Sequence, residues 1–306
     1  MHIPDGFLST PVWATLDAAA IPAVGYIARK AQQTAEDSRL PLMGVLGAFV
    51  FAAQIINFPV GVGTSGHLVG GALLALTLGP AMASLAMTAI LVIQALVFQD
   101  GGVLALGGNV LNMAVFGVWA GYLPYRIWGR RKLAVFAGGF LSVFVSALLA
   151  LSELSASGVR IPAAVLWVSI GLFAVSAALE GAITMGVVNA LERMNSRYIR
   201  TPQASGARVY AALGLAAILL VTAGVLVAST HPDGIQALAR QVGIFGQTKA
   251  LLSTPLADYE MPSLSTPWLR KAGAGLIGLC LVSACVMTVG RVFTKRTQLR
   301  AAATGD

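Results

Sequence analysis

Nine long apolar segments, separated by short polar stretches, restrict how this chain can fold more than any other feature. They cover residues 8–28, 42–58, 68–79, 81–98, 103–126, 133–154, 162–191, 209–229 and 272–291. Most reach the ~20 residues that a helix needs to cross about 30 Å of hydrocarbon. Only 10% of the 306 residues are charged, against about 25% in soluble domains. The sequence therefore predicts an all-α, polytopic transmembrane bundle of about seven helices plus a two-helix C-terminal segment, and excludes a soluble enzyme.

The basic residues fall mainly on one side of the predicted membrane. With all nine segments taken as crossings and the N-terminus outside, 15 of the 20 Lys and Arg residues lie in cytoplasmic loops. This bias follows the positive-inside rule and predicts a cytoplasmic C-terminus. Segment 68–79 is short for a crossing. If it did not cross, every later loop would lie on the opposite side of the membrane and the basic residues would no longer be concentrated in cytoplasmic loops. The net charge of +8 therefore records topology and indicates no nucleic-acid partner.

A polar loop at 192–208 divides the chain into two predicted units. Residues 1–200 form a membrane domain, and residues 206–306 form a segment of two helices that enclose an outer loop, 230–271. A Pro-Asp-Gly run occurs both at 4–6 and at 232–234. Because Pro-Asp-Gly is ordinary turn chemistry, this echo has little weight.

Two carboxyl groups, those of Asp17 and Glu180, are expected inside the predicted spans. Intramembrane acids are functional candidates by default. The alternative is a protonated or hydrogen-bonded carboxyl within the bundle. The sequence does not separate these interpretations, so neither residue is given a role.

The residues that carry chemistry are histidines near the predicted outer face. His2 stands directly behind the amino terminus, so the Met1 amine, the His2 amide nitrogen and one His2 ring nitrogen can all reach a single metal ion. These three nitrogens occupy three corners of a plane, and His67 is the candidate for the fourth. Planar nitrogen ligation suits Ni(II) or Cu(II), whereas zinc prefers a tetrahedron and magnesium and calcium prefer oxygen.

His67 ends a glycine-rich loop, 57–67, between two apolar segments. Glycines permit positive φ angles and close backbone approach, so this loop can fold into the bundle and hold a side chain rigidly. The alternative interpretation is a loop histidine hydrogen-bonded to a carbonyl. The presence of His2 on the same predicted face favours the metal site.

Other chemistry is missing from the sequence. There is no G-x-x-x-x-G-K-[ST] run, so no nucleotide is expected to bind this chain, and no nucleophile–base set or H-E-x-x-H motif stands out. The basic residues are not interleaved with aromatic residues as in a nucleic-acid interface. We therefore predict no catalytic residue and no enzymatic activity.

The motifs at the two histidines closely resemble those of the CbiM/NikM family, the substrate-binding membrane subunits of energy-coupling-factor importers for cobalt and nickel. The resemblance rests on Met1-His2-Ile3-x-Asp5-Gly6-Phe7-Leu8 and on the loop from Asn57 to Leu68, and it covers about residues 1–200. Residues 206–306 resemble a fused NikN-type component with a PDGLE domain. The eponymous motif reads PDGIQ at 232–236, which departs from PDGLE in its last two residues, while STPLADY at 253–259 matches the domain better.

The resemblance implies a square-planar four-nitrogen site formed by the Met1 amine, the His2 amide, the His2 ring and the His67 ring. It implies a multi-pass protein of a bacterial or archaeal cytoplasmic membrane, surrounded by lipid, with a transmembrane coupling subunit and cytoplasmic ATPase subunits as partners. The expected substrate is Ni(II). The alternatives are a Co(II) importer subunit that serves cobalamin synthesis and a membrane metal sensor that does not transport.

Overall fold

The computed structural model describes residues 2–34, 40–61, 63–194, 207–248 and 251–304, and it is predominantly helical. The all-α prediction is therefore confirmed, with a helix at each of the nine predicted segments. The helices are α1 (Thr10–Thr34), α2 (Leu40–Ile55), α3 (Gly71–Leu78), α4 (Pro80–Ile93), α5 (Leu106–Asn109), α6 (Val118–Trp128), α7 (Lys132–Ala156), α8 (Ala163–Met194), α9 (Ala207–Leu219), α10 (Val225–Val227), α11 (Gly234–Gln241) and α12 (Pro267–Thr304).

Within these described ranges, six helical stretches are long and apolar enough to cross a membrane, so the chain is a multi-pass membrane protein. They are Thr10–Gln33, Pro80–Phe98, Lys132–Ala156, Ala163–Met194, Ala207–Val227 and Pro267–Val292. α2 has 16 residues and α3 only eight, which is about 12 Å at 1.5 Å per residue. The predicted change of sides at 68–79 stays a prediction.

In the part of the chain that the structure describes, turns of π-helix interrupt the helical path in three places. One, Gln94–Phe98, extends α4, another, Val110–Gly117, joins α5 to α6, and the third, Leu220–Gly224, joins α9 to α10. Single π turns inside helices occur frequently at functional sites. The first ends beside the candidate site described below.

The centre of the bundle is built around α4, most of whose residues are buried. α7 packs along α8, and α2 packs along α12 and α9. α7 and α8 approach closely through two glycines, since a Cβ added at Gly139 would lie 2.6 Å from the Gly181 Cα. Small residues allow this backbone approach in membrane helices. Large apolar side chains such as Ile21 and Trp167 point outwards, as a lipid-facing surface requires.

A β-hairpin stands where the sequence predicts only a glycine-rich loop. Its strands are β1 (Asn57–Gly61) and β2 (Thr64–His67). They pair antiparallel, with His67 opposite Asn57. The predicted helix 42–58 was wrong at its end, because α2 stops at Ile55 and residues 57–58 belong to β1. Pro59 and the glycines that follow cannot continue a helix without loss of stability.

The outer loop 230–271 contains regular structure of its own. α11 lies within it, and α12 begins at Pro267, five residues before the predicted start of the last helix. The loop packs on the β-hairpin, where Ser65 pairs with Asp233 in parallel. The predicted boundary between residues 200 and 206 lies outside the described residues.

Candidate metal centre

The N-terminal segment is held inside the protein by backbone contacts. Ile3 is fully buried, and its N–H donates to Asn109 Oδ1 at 2.8 Å. Its carbonyl accepts from Asn109 Nδ2 at 3.1 Å and from the Gly102 N–H at 2.8 Å. These bonds fix the backbone next to His2, so the preceding ring has a defined position.

Two carboxylates complete this anchor, one by accepting from the turn that leads into α5 and the other by accepting from α5 itself. Asp5 accepts from the Val103 N–H at 2.9 Å and from the Leu104 N–H at 2.8 Å. Asp17 accepts from the Gly107 N–H at 2.7 Å. Backbone donors at the start of a helix lack partners within the helix, so carboxylates there are stabilising. Asp17, one of the two intramembrane acids left open by the sequence, therefore has a structural contact.

Glu180 anchors the segment that carries His67 in the same way, by accepting hydrogen bonds from backbone N–H groups. It is 1% exposed, and its two oxygens accept from the Val69 N–H at 2.7 Å and from the Gly70 N–H at 2.8 Å. These donors immediately precede α3. Gly70 has a φ of +78° and lies against Val50, a position that a side chain would not fit. Glu180 thus anchors the chain two residues beyond His67.

The two predicted histidine ligands come together. The ring centroids of His2 and His67 are 5.6 Å apart, and the ring planes differ by only 7°. The two residues are 4% and 6% exposed. The structure therefore brings the two rings into one buried site. Met1, the third predicted ligand residue, lies outside the described residues.

His67 has the tautomer that a metal ligand needs. Its Nδ1 lies 3.0 Å from the Leu68 carbonyl oxygen, which only accepts, so Nδ1 carries the proton and Nε2 carries the lone pair. Ligating histidines commonly donate their second ring nitrogen in this way. Burial, together with the nearby charge on His2, lowers the pKa of His67 to about 3. The ring is therefore neutral at physiological pH, as metal binding requires.

His2 faces a carboxylate that sequence reasoning missed. Its Nδ1 lies 3.2 Å from Asp100 Oδ1, although among the described residues no protein atom meets hydrogen-bond geometry with either ring nitrogen. A buried polar nitrogen without a hydrogen bond is costly, and coordination of an ion would satisfy it. Removal from water alone would raise the pKa of Asp100, but the charge of His2 and the hydrogen bond from Tyr259 outweigh this effect and lower it.

Asp100 also contacts the C-terminal unit, since the Tyr259 hydroxyl donates to Asp100 Oδ2 at 2.6 Å. Burial and the adjacent carboxylate raise the pKa of Tyr259 well above its ordinary value, so the hydroxyl keeps its proton. The only available signals for these residues were an Asp100-Gly-Gly turn after an apolar segment and the Ala-Asp-Tyr of 257–259. Neither specifies a contact across 159 residues.

The histidines open into a cavity of about 510 Å³ at the junction of the two units. Its wall includes Asp233 and Tyr259 from the outer loop. Asp233 caps α11 by accepting from the Gln236 N–H at 2.8 Å. His231, which is exposed, joins the loop to the hairpin through its carbonyl, which accepts from Ser65 Oγ at 2.6 Å.

Within the described ranges, no group of three or more His, Cys, Asp or Glu side chains is placed to hold a metal ion. A third buried acid, Glu153 in α7, which the sequence analysis did not single out, accepts from Asn112 Nδ2 at 2.8 Å. The arrangement at His2 and His67 therefore offers two imidazole rings.

Comparison with known proteins identifies relatives of both units. Residues 2–198 match the family CbiM, described as a cobalt uptake substrate-specific transmembrane region, and residues 207–295 match the PDGLE domain. A chain of Archaeoglobus fulgidus, provisionally named fused nickel transport protein NikMN, is 34% identical, with 93% of this chain and 96% of that chain covered. The fused nickel transport protein NikMN of Rhodobacter capsulatus is 29% identical, with 97% and 99% covered.

A solved structure has a similar fold over 63% of this chain. The crystal structure of a truncated transition metal transporter is 34% identical, covers 63% of this chain and 99% of its own, and superposes with a TM-score of 0.57.

Proposed function

Because the chain belongs to the CbiM family and carries a PDGLE domain, we propose that it is the metal-capturing membrane subunit of an ATP-driven importer for Ni(II). It binds the ion at the outer face in a square-planar nitrogen site. The ligands are the Met1 amine, the His2 amide nitrogen, the His2 ring and the His67 ring. The ion is released inwards when partner subunits hydrolyse ATP.

The observation that carries this proposal is the pair of buried, nearly parallel imidazoles 5.6 Å apart. The two rings come from segments that are distant in the sequence, and each is anchored separately, one through Ile3 and the other through Glu180. Such an arrangement would be costly if both rings only filled space, because a buried ring nitrogen needs a partner. A bound cation offsets this cost.

Nickel is preferred because a plane of four nitrogens, one of them a deprotonated amide, suits Ni(II). The fused nickel transport relatives support the same choice. Co(II) is the alternative substrate, since the family description names cobalt uptake. A membrane sensor that binds metal without transport is the second alternative.

Import needs partners, because the chain has no P-loop of its own. We propose a transmembrane coupling subunit and cytoplasmic ATPase subunits. Ala14 and Ala18 form a small-xxx-small pair on α1, and both are exposed, which leaves this face open to another helix. We also retain the predicted orientation, with the N-terminus outside and the C-terminus in the cytoplasm, and the division into residues 1–200 and 206–306.

A metal-uptake assay in cells tests the proposal. Cells that express the chain together with its coupling and ATPase subunits should accumulate nickel, and to a smaller extent cobalt, whereas cells without the partners should not. Equal uptake with and without the partners would contradict ATP-driven import. Binding without uptake under either condition would favour the sensor.

His67→Ala tests the ligand set. Removal of the fourth nitrogen should weaken nickel binding strongly, as measured by equilibrium dialysis of the full chain. His231→Ala is the matched control. His231 lines the same cavity, but it is exposed and contacts the hairpin through its carbonyl, so this variant should bind nearly as the unaltered chain does. Comparable losses in both variants would require a different ligand set.

A further inference from the structure

The C-terminal unit places one polar side chain beside the proposed metal ligands. The Tyr259 hydroxyl donates to Asp100 Oδ2 at 2.6 Å, and the other oxygen of this carboxylate lies 3.2 Å from His2 Nδ1. Tyr259 belongs to the outer loop, whose role the sequence left open. The Asp100 carboxylate therefore lies between the His2 ring of the N-terminal unit and the Tyr259 hydroxyl of the C-terminal unit.

The phenol is held tightly from several sides. Its ring lies nearly parallel to that of Phe98, with centroids 4.7 Å apart, and it also contacts Phe51. The loop before it is tied to the π turn of α4, because Thr254 Oγ1 donates to the Val97 carbonyl at 2.6 Å. The Gln99 side chain donates to the Leu252 carbonyl in the same region.

The backbone at this point is in a conformation that side chains rarely adopt. Asp258 and Tyr259 have φ angles of +54° and +58°. Non-glycine residues with positive φ are uncommon and persist where surrounding contacts impose them, often at functional sites. One of these two residues, Tyr259, carries the hydroxyl that donates to Asp100.

A chain of buried amides links the phenol to the second ligand segment. Gln94 Nε2 donates to the Tyr259 hydroxyl at 3.2 Å and to Gln54 Oε1 at 2.8 Å. Gln54 Nε2 in turn donates to the Val69 carbonyl at 2.7 Å, two residues beyond His67. The same network therefore reaches both histidine segments.

We propose that Tyr259 is a positioning residue of the metal site, which holds the Asp100 carboxylate beside the His2 ring so that the docked C-terminal loop takes part in metal capture. This inference rests on the proposed function, since it requires His2 to be a ligand. The carboxylate lies at Nδ1, the ring nitrogen that can bind an ion together with the residue's own amide, so its negative charge favours a divalent cation there. Loss of a partner that lies just outside the ligands typically costs roughly 10–100-fold in metal affinity.

Tyr259→Phe removes only the hydroxyl and keeps the packing on Phe98. With the full chain in detergent, nickel affinity is measured by competition with a chromogenic chelator, and the nickel d–d absorption and circular dichroism bands report ligand geometry. We expect affinity to fall roughly 10-fold or more, with altered bands, while the metal-free protein should still unfold cooperatively at a slightly lower temperature because the hydroxyl's hydrogen bonds are lost. Tyr210→Phe, which alters a half-buried tyrosine elsewhere in the same unit, should match the unaltered chain.

Asp100→Asn supplies the second arm. If Tyr259 acts through Asp100, the double variant should bind no more weakly than Asp100→Asn alone. Additive losses, or a Tyr259→Phe variant with unaltered affinity and bands, would overturn the inference while leaving nickel binding by the unaltered chain intact. Failure of the unaltered chain to bind either nickel or cobalt would instead remove the proposed function itself, and the inference with it.

Discussion

Glu180 offers the sharpest test of how the bundle holds the His67 segment. Glu180→Gln replaces one carboxylate oxygen with an NH₂ group, which cannot accept from a backbone N–H. One of the two donors, Val69 or Gly70, then loses its partner in an environment where Glu180 is 1% exposed. A buried donor without a partner costs about 1–3 kcal/mol. Glu180→Ala strands both donors and should cost about twice as much, roughly 2–6 kcal/mol.

The assay is denaturant or thermal unfolding of the metal-free chain in detergent. We expect the free energy of unfolding to fall from the unaltered chain to Glu180→Gln, and further to Glu180→Ala. Glu192→Gln is the matched control. Glu192 pairs with Arg130, and both side chains are about 30% exposed, so this ion pair contributes only about 0–1 kcal/mol. If Glu180→Gln unfolds like the control, the carboxylate does not anchor this segment and the argument from its two hydrogen bonds is wrong.

Loss of the hydrogen bonds to Glu180 should also lower the nickel affinity. Val69 is two residues from His67, so a looser segment presents the imidazole less well and nickel affinity should fall with stability. Saturating nickel should restore part of the lost stability, because a ligand that binds only the folded state stabilises it. If Glu180→Gln is clearly destabilised but keeps its nickel affinity, metal binding does not depend on how firmly Glu180 holds this segment.

Three further perturbations address the N-terminal anchor. Adding a residue before Met1, or acetylating its amine, should abolish tight nickel binding in equilibrium dialysis, and unchanged affinity would exclude the terminal chelate. Asp5→Ala leaves two backbone N–H groups without an acceptor, at about 1–3 kcal/mol each, and should lower both the unfolding midpoint and the nickel affinity. Gly101→Ala places a Cβ 3.1 Å from the His2 Cβ at a φ of +96° and should weaken nickel binding. Gly171→Ala, with nothing within 4 Å, should not; equal effects from these two glycine changes would count against a steric role for Gly101.

The helices were predictable because their signal is local. Apolar runs of about 20 residues satisfy their own backbone hydrogen bonds and favour lipid wherever they occur, so the spans could be read segment by segment. The chelate at the amino terminus could be predicted for the same reason, because its three donor nitrogens lie within two consecutive residues. His67 was named from its glycine-rich loop, and the structure brings its ring to His2. Membership of the CbiM family was likewise predicted from these motifs and is confirmed.

Contacts between distant residues were not predictable. Asp100 and Tyr259 are ordinary turn residues in the sequence, and their pairing across 159 positions depends on how the outer loop docks. Glu180 was recognised as an intramembrane acid, but its partners are backbone N–H groups, which every residue except proline carries and no sequence pattern marks. Hydropathy determines the helices, and covalent geometry alone predicts the terminal chelate. Only the packed bundle determines which carboxylate accepts a hydrogen bond from which donor. The sequence allows many such contacts equally, and the high cost of an unpartnered buried polar group selects among them.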